Sequence, residues 1–355
     1  MPRIYLLIIL LLSSSSLSAL ESYLDMEGFV YSGPVPYSEF TGEWSSGFQE
    51  KSSALGYTWL EAGVHNQQWG LSIVQQQYAQ MQFSGDMAEF HYLTQNRLPL
   101  EAGRRYEMEY QINAYTTEGV RLFRRLQPHQ NISLQLGAHF MKGSDFQSGR
   151  IRGSVTALSD RDYDYDNLQI DYRYSEDRIF NSVINSMRGE GLALDLAAHW
   201  EINRNNQLSL QIRNLAGYIK WKKSPYSSGT LSSDDKSYDE NRYVTINQTL
   251  NGSTQTEAYR QPLSLLWQAE FEHHYSSRNR LHAQIVGSEV QNFYRIGISH
   301  RIFGKQSLKF LYTLNTRAFG FAYENDEFKL QLQLDSLKPN ESYTLGLLIQ
   351  TGIKF

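Results

Sequence analysis

The 355-residue chain contains no cysteine and only 8 prolines. Beyond residue 19 it lacks any apolar run of the roughly 20 residues that a membrane-spanning helix takes. Without cysteine an N-terminal lipoprotein anchor is excluded, although export to an oxidising compartment is not, since exported proteins need no disulfides. Without a second apolar run a helical membrane protein is excluded. The 33 basic and 37 acidic residues leave a net charge of −4 and no basic stripe, so nothing points to nucleic acid. Nor is there a repeat of about 20–50 residues, the signature of a propeller or solenoid.

What the chain does have is aromatic residues and alternation. Tyr (24), Phe (17) and Trp (6) are frequent although the mean hydropathy is −0.50. Residues 1–19 combine Arg3, an apolar run over 4–12, four serines and Leu17-Ser18-Ala19, the layout of a secretory signal peptide cleaved after Ala19. Export is therefore expected. Residues 20–37 hold Gly33-Pro34-Val35-Pro36, and because proline cannot donate to a strand ladder they read as a periplasmic segment or small plug.

From 38 to 355 the polarity alternates with a two-residue period, which marks strands. Tyr106, Met108, Tyr110 and Ile112 lie opposite Arg105, Glu107 and Glu109; Leu192, Leu194 and Leu196 lie opposite Ala193, Asp195 and Ala197. One greasy and one polar face per strand suits a lipid-spanning barrel with a polar interior. The sheet must close, because hydrocarbon cannot satisfy an open edge. Even strand numbers are the rule in such barrels, which favours about 16 strands, with about 14 next. A polar insertion at 222–261, centred on Ser232-Ser233-Asp234-Asp235-Lys236, reads as a long extracellular loop.

The last strand is the clearest. Tyr343, Leu345, Leu347, Ile349, Thr351, Ile353 and Phe355 share one face. This strand, with its terminal Phe, resembles the closing strand of Gram-negative outer-membrane β-barrels. There it is the signal read by the barrel-assembly machinery, and the resemblance places that signal on Tyr343, Gly346, Ile349, Gly352 and Phe355. Residues 189–221 are similar to the central hairpin of barrels in the fatty-acid-transporter-like superfamily, with Gly189 and Gly191 at the start, Asp195 within the strand and Asn214-Leu215 near the hairpin's end. That resemblance implies a hydrophobic solute leaving through the wall behind an N-terminal plug.

The polar faces supply the candidate lumen: Arg105, Glu107, Glu109, Arg150, Arg152, Arg173, Asp195, Arg213, Glu270, Glu272, Arg295 and Arg301. Cross-strand pairing accounts for most charges in such a wall, and the remainder set selectivity. Four local clusters invite chemistry. Residues 160–167 space carboxylates like a calcium loop, but Asn167 and Arg173 stand where an EF-hand needs Gly and Glu, so a solvated acidic loop is the better reading. Residues 273–279 gather the His, Ser and Asn of outer-membrane phospholipases, yet they read as a turn. Asp195, His199 and Glu201 share a face at about 7 Å spacing, too wide for one ion without a partner strand. Lys220-Trp221-Lys222-Lys223 reads as an interfacial anchor within reach of lipopolysaccharide phosphates.

The expectation is an all-β protein, a single closed antiparallel transmembrane barrel in the outer membrane of a Gram-negative bacterium, contacting the bilayer and lipopolysaccharide. It passes a small solute, hydrophobic if the superfamily likeness holds, with no catalysis, cofactor or metal. A structural or partner-binding barrel is the alternative, and a barrel-embedded lipid hydrolase stands behind it.

Overall fold

The computed structural model describes residues 20–45, 48–176, 187–231, 236–240, 244–246 and 251–354. The expected leader at 1–19 and the terminal Phe355 lie outside the described residues. Strands run in the order β1 (Glu21–Ser32), β2 (Ser53–His65), β3 (Trp69–Phe83), β4 (Arg105–His129), β5 (Ile132–Ala157), β6 (Tyr163–Tyr174), β7 (Gly189–Asn203), β8 (Asn206–Leu231) and β9 (Lys236–Tyr238). They continue as β10 (Val244–Ile246), β11 (Asn251–Pro262), β12 (Leu266–His274), β13 (Asn279–Ser288), β14 (Asn292–Phe303), β15 (Gln306–Thr313), β16 (Phe319–Glu324), β17 (Phe328–Leu334) and β18 (Thr344–Lys354). The one α-helix among the described residues, α1 (Gly85–Gln95), intervenes between β3 and β4.

β1 to β5, β7, β8 and β12 to β18 pair in turn, and β18 returns to β1, closing an antiparallel barrel of 14 strands. β6 and β11 join the same sheet outside the ring and bring it to 16. Both expected numbers are therefore present, but the closed ring takes the smaller. The reason is length. β4, β5 and β8 run for 25, 26 and 26 residues, whereas crossing a bilayer takes about 9–11. Each leaves the ring and carries on into a projecting sheet, where the far half of β5 pairs with β6, β6 with the far half of β8, and β8 with β11.

Two segment assignments are corrected by this pairing. Residues 20–37 are neither a plug nor a free periplasmic segment, because Glu21–Ser32 is β1, hydrogen-bonded to β18 on one side and β2 on the other. The prolines follow the strand: Pro34 and Pro36 lie in the β1–β2 connection, where Val35 and Trp44 pack with Phe83 and Ala88 of the α1 region. The stretch 222–261 is not a loop from its start, since Lys222 to Leu231 completes β8 and β11 returns along it. β9 and β10 form a small 2-stranded sheet at the tip.

The connections differ sharply at the two ends. Three turns at one end are closed by a side-chain oxygen accepting backbone N–H groups two and three residues on, Asn66 from Gln68 and Trp69, Ser276 from Arg278 and Asn279, and Asn325 from Glu327 and Phe328; in a fourth, Asn203 accepts the Asn205 N–H and the Asn206 side-chain amide. The opposite end holds the β1–β2 connection, α1 and the projecting sheet. α1 is set by Ser84, whose hydroxyl accepts from the Met87 N–H as an N-cap. His91 packs edge-on to Trp44 at 4.7 Å, and partial desolvation lowers the pKa of its imidazole.

Outward positions are apolar around the ring. Leu24 and Met26 of β1, Ile73 of β3, Leu194 of β7, Ile298 of β14 and Leu332 of β17 are all exposed. Trp69, Trp200 and Phe303 lie exposed toward the short-turn end, as girdle aromatics do.

Candidate functional site: a layered lumen

The interior is stacked in three layers. At the short-turn end a vestibule of about 760 Å³ is lined by Arg125, Arg301, Lys305, Asp326, Glu327 and Lys329 among others. It opens between the turns and ends at a floor of ion pairs.

That floor has two centres. Arg121 of β4 bridges Glu61 of β2 (3.1 Å) and Asp195 of β7 (2.9 Å). Glu61 also accepts from Tyr23, Trp59 and Ser72. Asp195 sits at a register shift between β7 and β8 and accepts the N–H of Asn214, whose φ is +56°. Asparagine tolerates that left-handed conformation better than most side chains. Arg213 of β8 reaches across the lumen to Glu27 of β1 at 2.6 Å and lies over the Trp59 ring at 4.5 Å. Close by, His139, Gln76, Thr117 and Asn214 each present a buried polar atom with no protein partner.

Above the ion pairs the lumen turns apolar. Phe293 of β14 packs edge-on against Phe29 and Tyr31 of β1 at 4.9 and 5.3 Å, and Tyr78 stacks on Tyr115 at 5.2 Å. Trp221 is fully buried, stacked on Phe146 at 4.2 Å with its indole N–H donated to Gln261. Hydrogen bonds tie opposite walls together here, Ser53 to Gln291 and Gln80 to Glu289. The lumen is filled, not open.

Of the sequence-derived lumen residues, Asp195, Arg213, Glu270, Glu272 and Arg295 point into the barrel, and Arg301 lines the vestibule. Arg105, Glu107, Glu109, Arg150 and Arg152 lie on the projecting part of β4 and β5, exposed to solvent beyond the ring. Arg173 sits on β6 between Asp171 and Glu257, with Tyr226 and Tyr259 under its guanidinium. Of the closing-strand residues, Gly346 and Ile349 pair with both β17 and β1, Gly352 pairs with β1, and Tyr343 immediately precedes the strand.

The four local clusters resolve into structural contacts. In 160–167, Asp166 accepts from Thr156 and Asp162 from Tyr238. In 273–279, Ser276 closes the β12–β13 turn and His274 turns to Glu272 at 2.6 Å. His199 meets Ser209 instead of Asp195, which is engaged by Arg121. Trp221 is not an interfacial anchor, because its side chain points inward. The β5–β7–β8 register instead places Gly143 and Gly189 around the indole, where an added Cβ would lie 2.6 and 3.0 Å from it.

Sequence reasoning passed over Glu27, Glu61, Arg121 and His282, which meets the expected lumen residues Glu270 and Glu272 with ligand atoms all within 4.8 Å of one another. Glu270 and Glu272 are two apart on β12, but His282 joins them only through the β12–β13 register. Lys309 pairs with Glu270, and Arg280 with Glu272 at 3.2 Å, so cations of the chain already neutralise the set.

On the outside of the wall, a groove of about 650 Å³ runs over β1 to β4, where small outward residues, Gly28, Gly56, Thr58 and Ala79, replace the bulky belt. Its lining includes Phe29, Tyr57, Tyr78, Tyr115 and Phe146, residues of the inner aromatic layer.

An apolar outer belt, a closed ring and a charged interior together define a membrane-spanning β-barrel. No protein-family model matches the chain, and no curated protein matches it. Among solved structures, the toluene transporter TbuX of Ralstonia pickettii aligns over 95% of this chain and 90% of its own at 9% identity, with a TM-score of 0.34. A FadL homologue of Pseudomonas aeruginosa covers 95% and 87% at 8% identity, TM-score 0.35. The translocator domain of the autotransporter NalP from Neisseria meningitidis covers 100% and 94% at 7% identity, TM-score 0.34. The barrel itself rests on its own strand pairing.

Proposed function

We propose that the protein is an outer-membrane barrel of a Gram-negative bacterium that passes a small apolar solute by way of the wall, without chemistry. The observation that carries this reading is the back-to-back arrangement over β1 to β4. An aromatic layer lies inside, a groove lies outside, and small side chains between them leave the wall no thicker than the sheet. A charged floor beneath disfavours an apolar solute continuing straight down, because desolvated ion pairs offer it nothing. Sideways is the cheaper exit.

The filled lumen supports a second reading, a structural barrel that presents its projecting sheet to a partner. Uptake separates the two. Cells producing the protein should take up a radiolabelled small apolar solute faster than cells without it. Phe293→Ala should raise uptake by removing the contact that crosses the lumen. Gly56→Leu should lower it, since a Cβ there meets nothing within 4 Å and the side chain fills the groove without strain. Uptake that ignores the barrel and both substitutions leaves the structural reading standing.

A further inference from the structure

Cross-strand register aligns exposed charges on the outer face at the upper edge of the belt. Lys142 of β5 faces Glu190 of β7, Glu190 faces Lys220 of β8, and Lys220 faces Arg260 of β11. Each stands one outward position beyond a belt residue: Phe140 below Lys142, Leu192 below Glu190, Tyr218 below Lys220. The Arg260 guanidinium lies over the Tyr218 ring at 3.7 Å, and Lys222 meets Glu190 at 3.4 Å. Lys223 is exposed beside them. Among the described residues, Lys220, Lys223 and Arg260 have no ion-pair partner. Glu118 and Asp145 lie further round on β4 and β5, so the surplus of positive charge is confined to β8 and β11.

We propose that this patch holds the phosphate groups of a phosphorylated glycolipid in the outer leaflet. Three unpaired cations on adjacent strands stand at headgroup height, and an exposed apolar wall continues directly beneath them. A molecule with phosphate above and acyl chains below matches both surfaces at once, whereas free phosphate matches only the first. Arginine and lysine bind phosphate through charge-assisted hydrogen bonds, and near an anionic leaflet each contributes substantially. The inference rests on the membrane reading of the barrel.

The test uses the full-length protein in detergent micelles with bisphosphorylated lipid A or dephosphorylated lipid A as the probe. Wild type should bind the phosphorylated lipid about 100-fold more tightly, and Lys220→Gln/Lys223→Gln/Arg260→Gln should lose that preference. Inorganic phosphate at equal concentration should not displace the lipid. Equal binding of the two lipids by wild type overturns the proposal, as does a variant that keeps the preference or displacement by inorganic phosphate. Should the variant lose heat-modifiable migration and so prove unfolded, the wild-type comparison decides alone. Failure of the membrane reading shows separately, as wild-type protein that does not insert into lipid vesicles.

Discussion

A charge on this chain is worth what its neighbours make it. Arg105 and Glu107 meet at 3.1 Å, but both side chains are 61% exposed, and such pairs contribute only about 0–1 kcal/mol. Arg121 meets Glu61 and Asp195 at similar distances with side chains 10%, 7% and 4% exposed. Removing it strands two buried carboxylates, although Tyr23, Trp59, Ser72 and Asn214 still donate to them. Arg121→Met should therefore cost about 3–5 kcal/mol in urea unfolding from lipid vesicles, and Arg105→Met less than about 1. Comparable losses in the two variants contradict the layered lumen. Periodicity names Arg105 as a lumen residue and passes over Arg121. What separates them is whether β2 and β7 bring carboxylates to the side chain, which only the closed ring decides. Arg121 was hidden by the weak alternation around it, and Glu27 and Asp25 by the prolines downstream.

At the scale of single elements the alternation was readable and its sign often not. In β7 and β18 the bulky aliphatic face is the lipid face, as the pattern says: Leu194 is exposed and Asp195 buried. In β2 both faces carry large residues. Leu55 and Tyr57 turn inward to join the aromatic layer and Trp59 turns inward to the ion-pair floor, while Leu60 and Val64 take the belt. Periodicity assigns residues to faces, but burial inside a barrel and exposure to lipid both reward apolar side chains. Lengths were harder still, because β4, β5 and β8 pass from membrane to projecting sheet without a break, so segments that read as separate spans are single strands. The faces are testable. Leu194→Arg should cost about 2–4 kcal/mol and depress insertion into vesicles, while Ala197→Arg, which lines the vestibule, should insert normally. Equal tolerance of both removes the lipid-facing assignment of β7.

For the whole molecule, the decisive feature is that β1 and β18 close the ring with both strand ends at the short-turn side. Glu21 pairs with Lys354, beside His65 and the β2–β3 turn. The alternation of β1 was present in Leu24, Met26 and Val30 against Asp25 and Glu27, and was masked by Pro34 and Pro36, which lie just past the strand's end. Closure also fixes the sidedness: every connection at the vestibule end is a short turn, and the elaborated connections lie at the other end with α1 and the projecting sheet. In outer-membrane barrels the short turns are periplasmic and the long connections extracellular. The cysteine-free sequence gives a clean way to ask, since any introduced thiol is the only one present. Ser159, in the β5–β6 connection, and Asn205, in the β7–β8 turn, stand at opposite ends of the barrel. A membrane-impermeant maleimide added to intact cells should label Ser159→Cys and leave Asn205→Cys untouched until the outer membrane is permeabilised. The reverse pattern inverts the barrel in the membrane, and would place the glycolipid patch in the wrong leaflet for the function proposed for it.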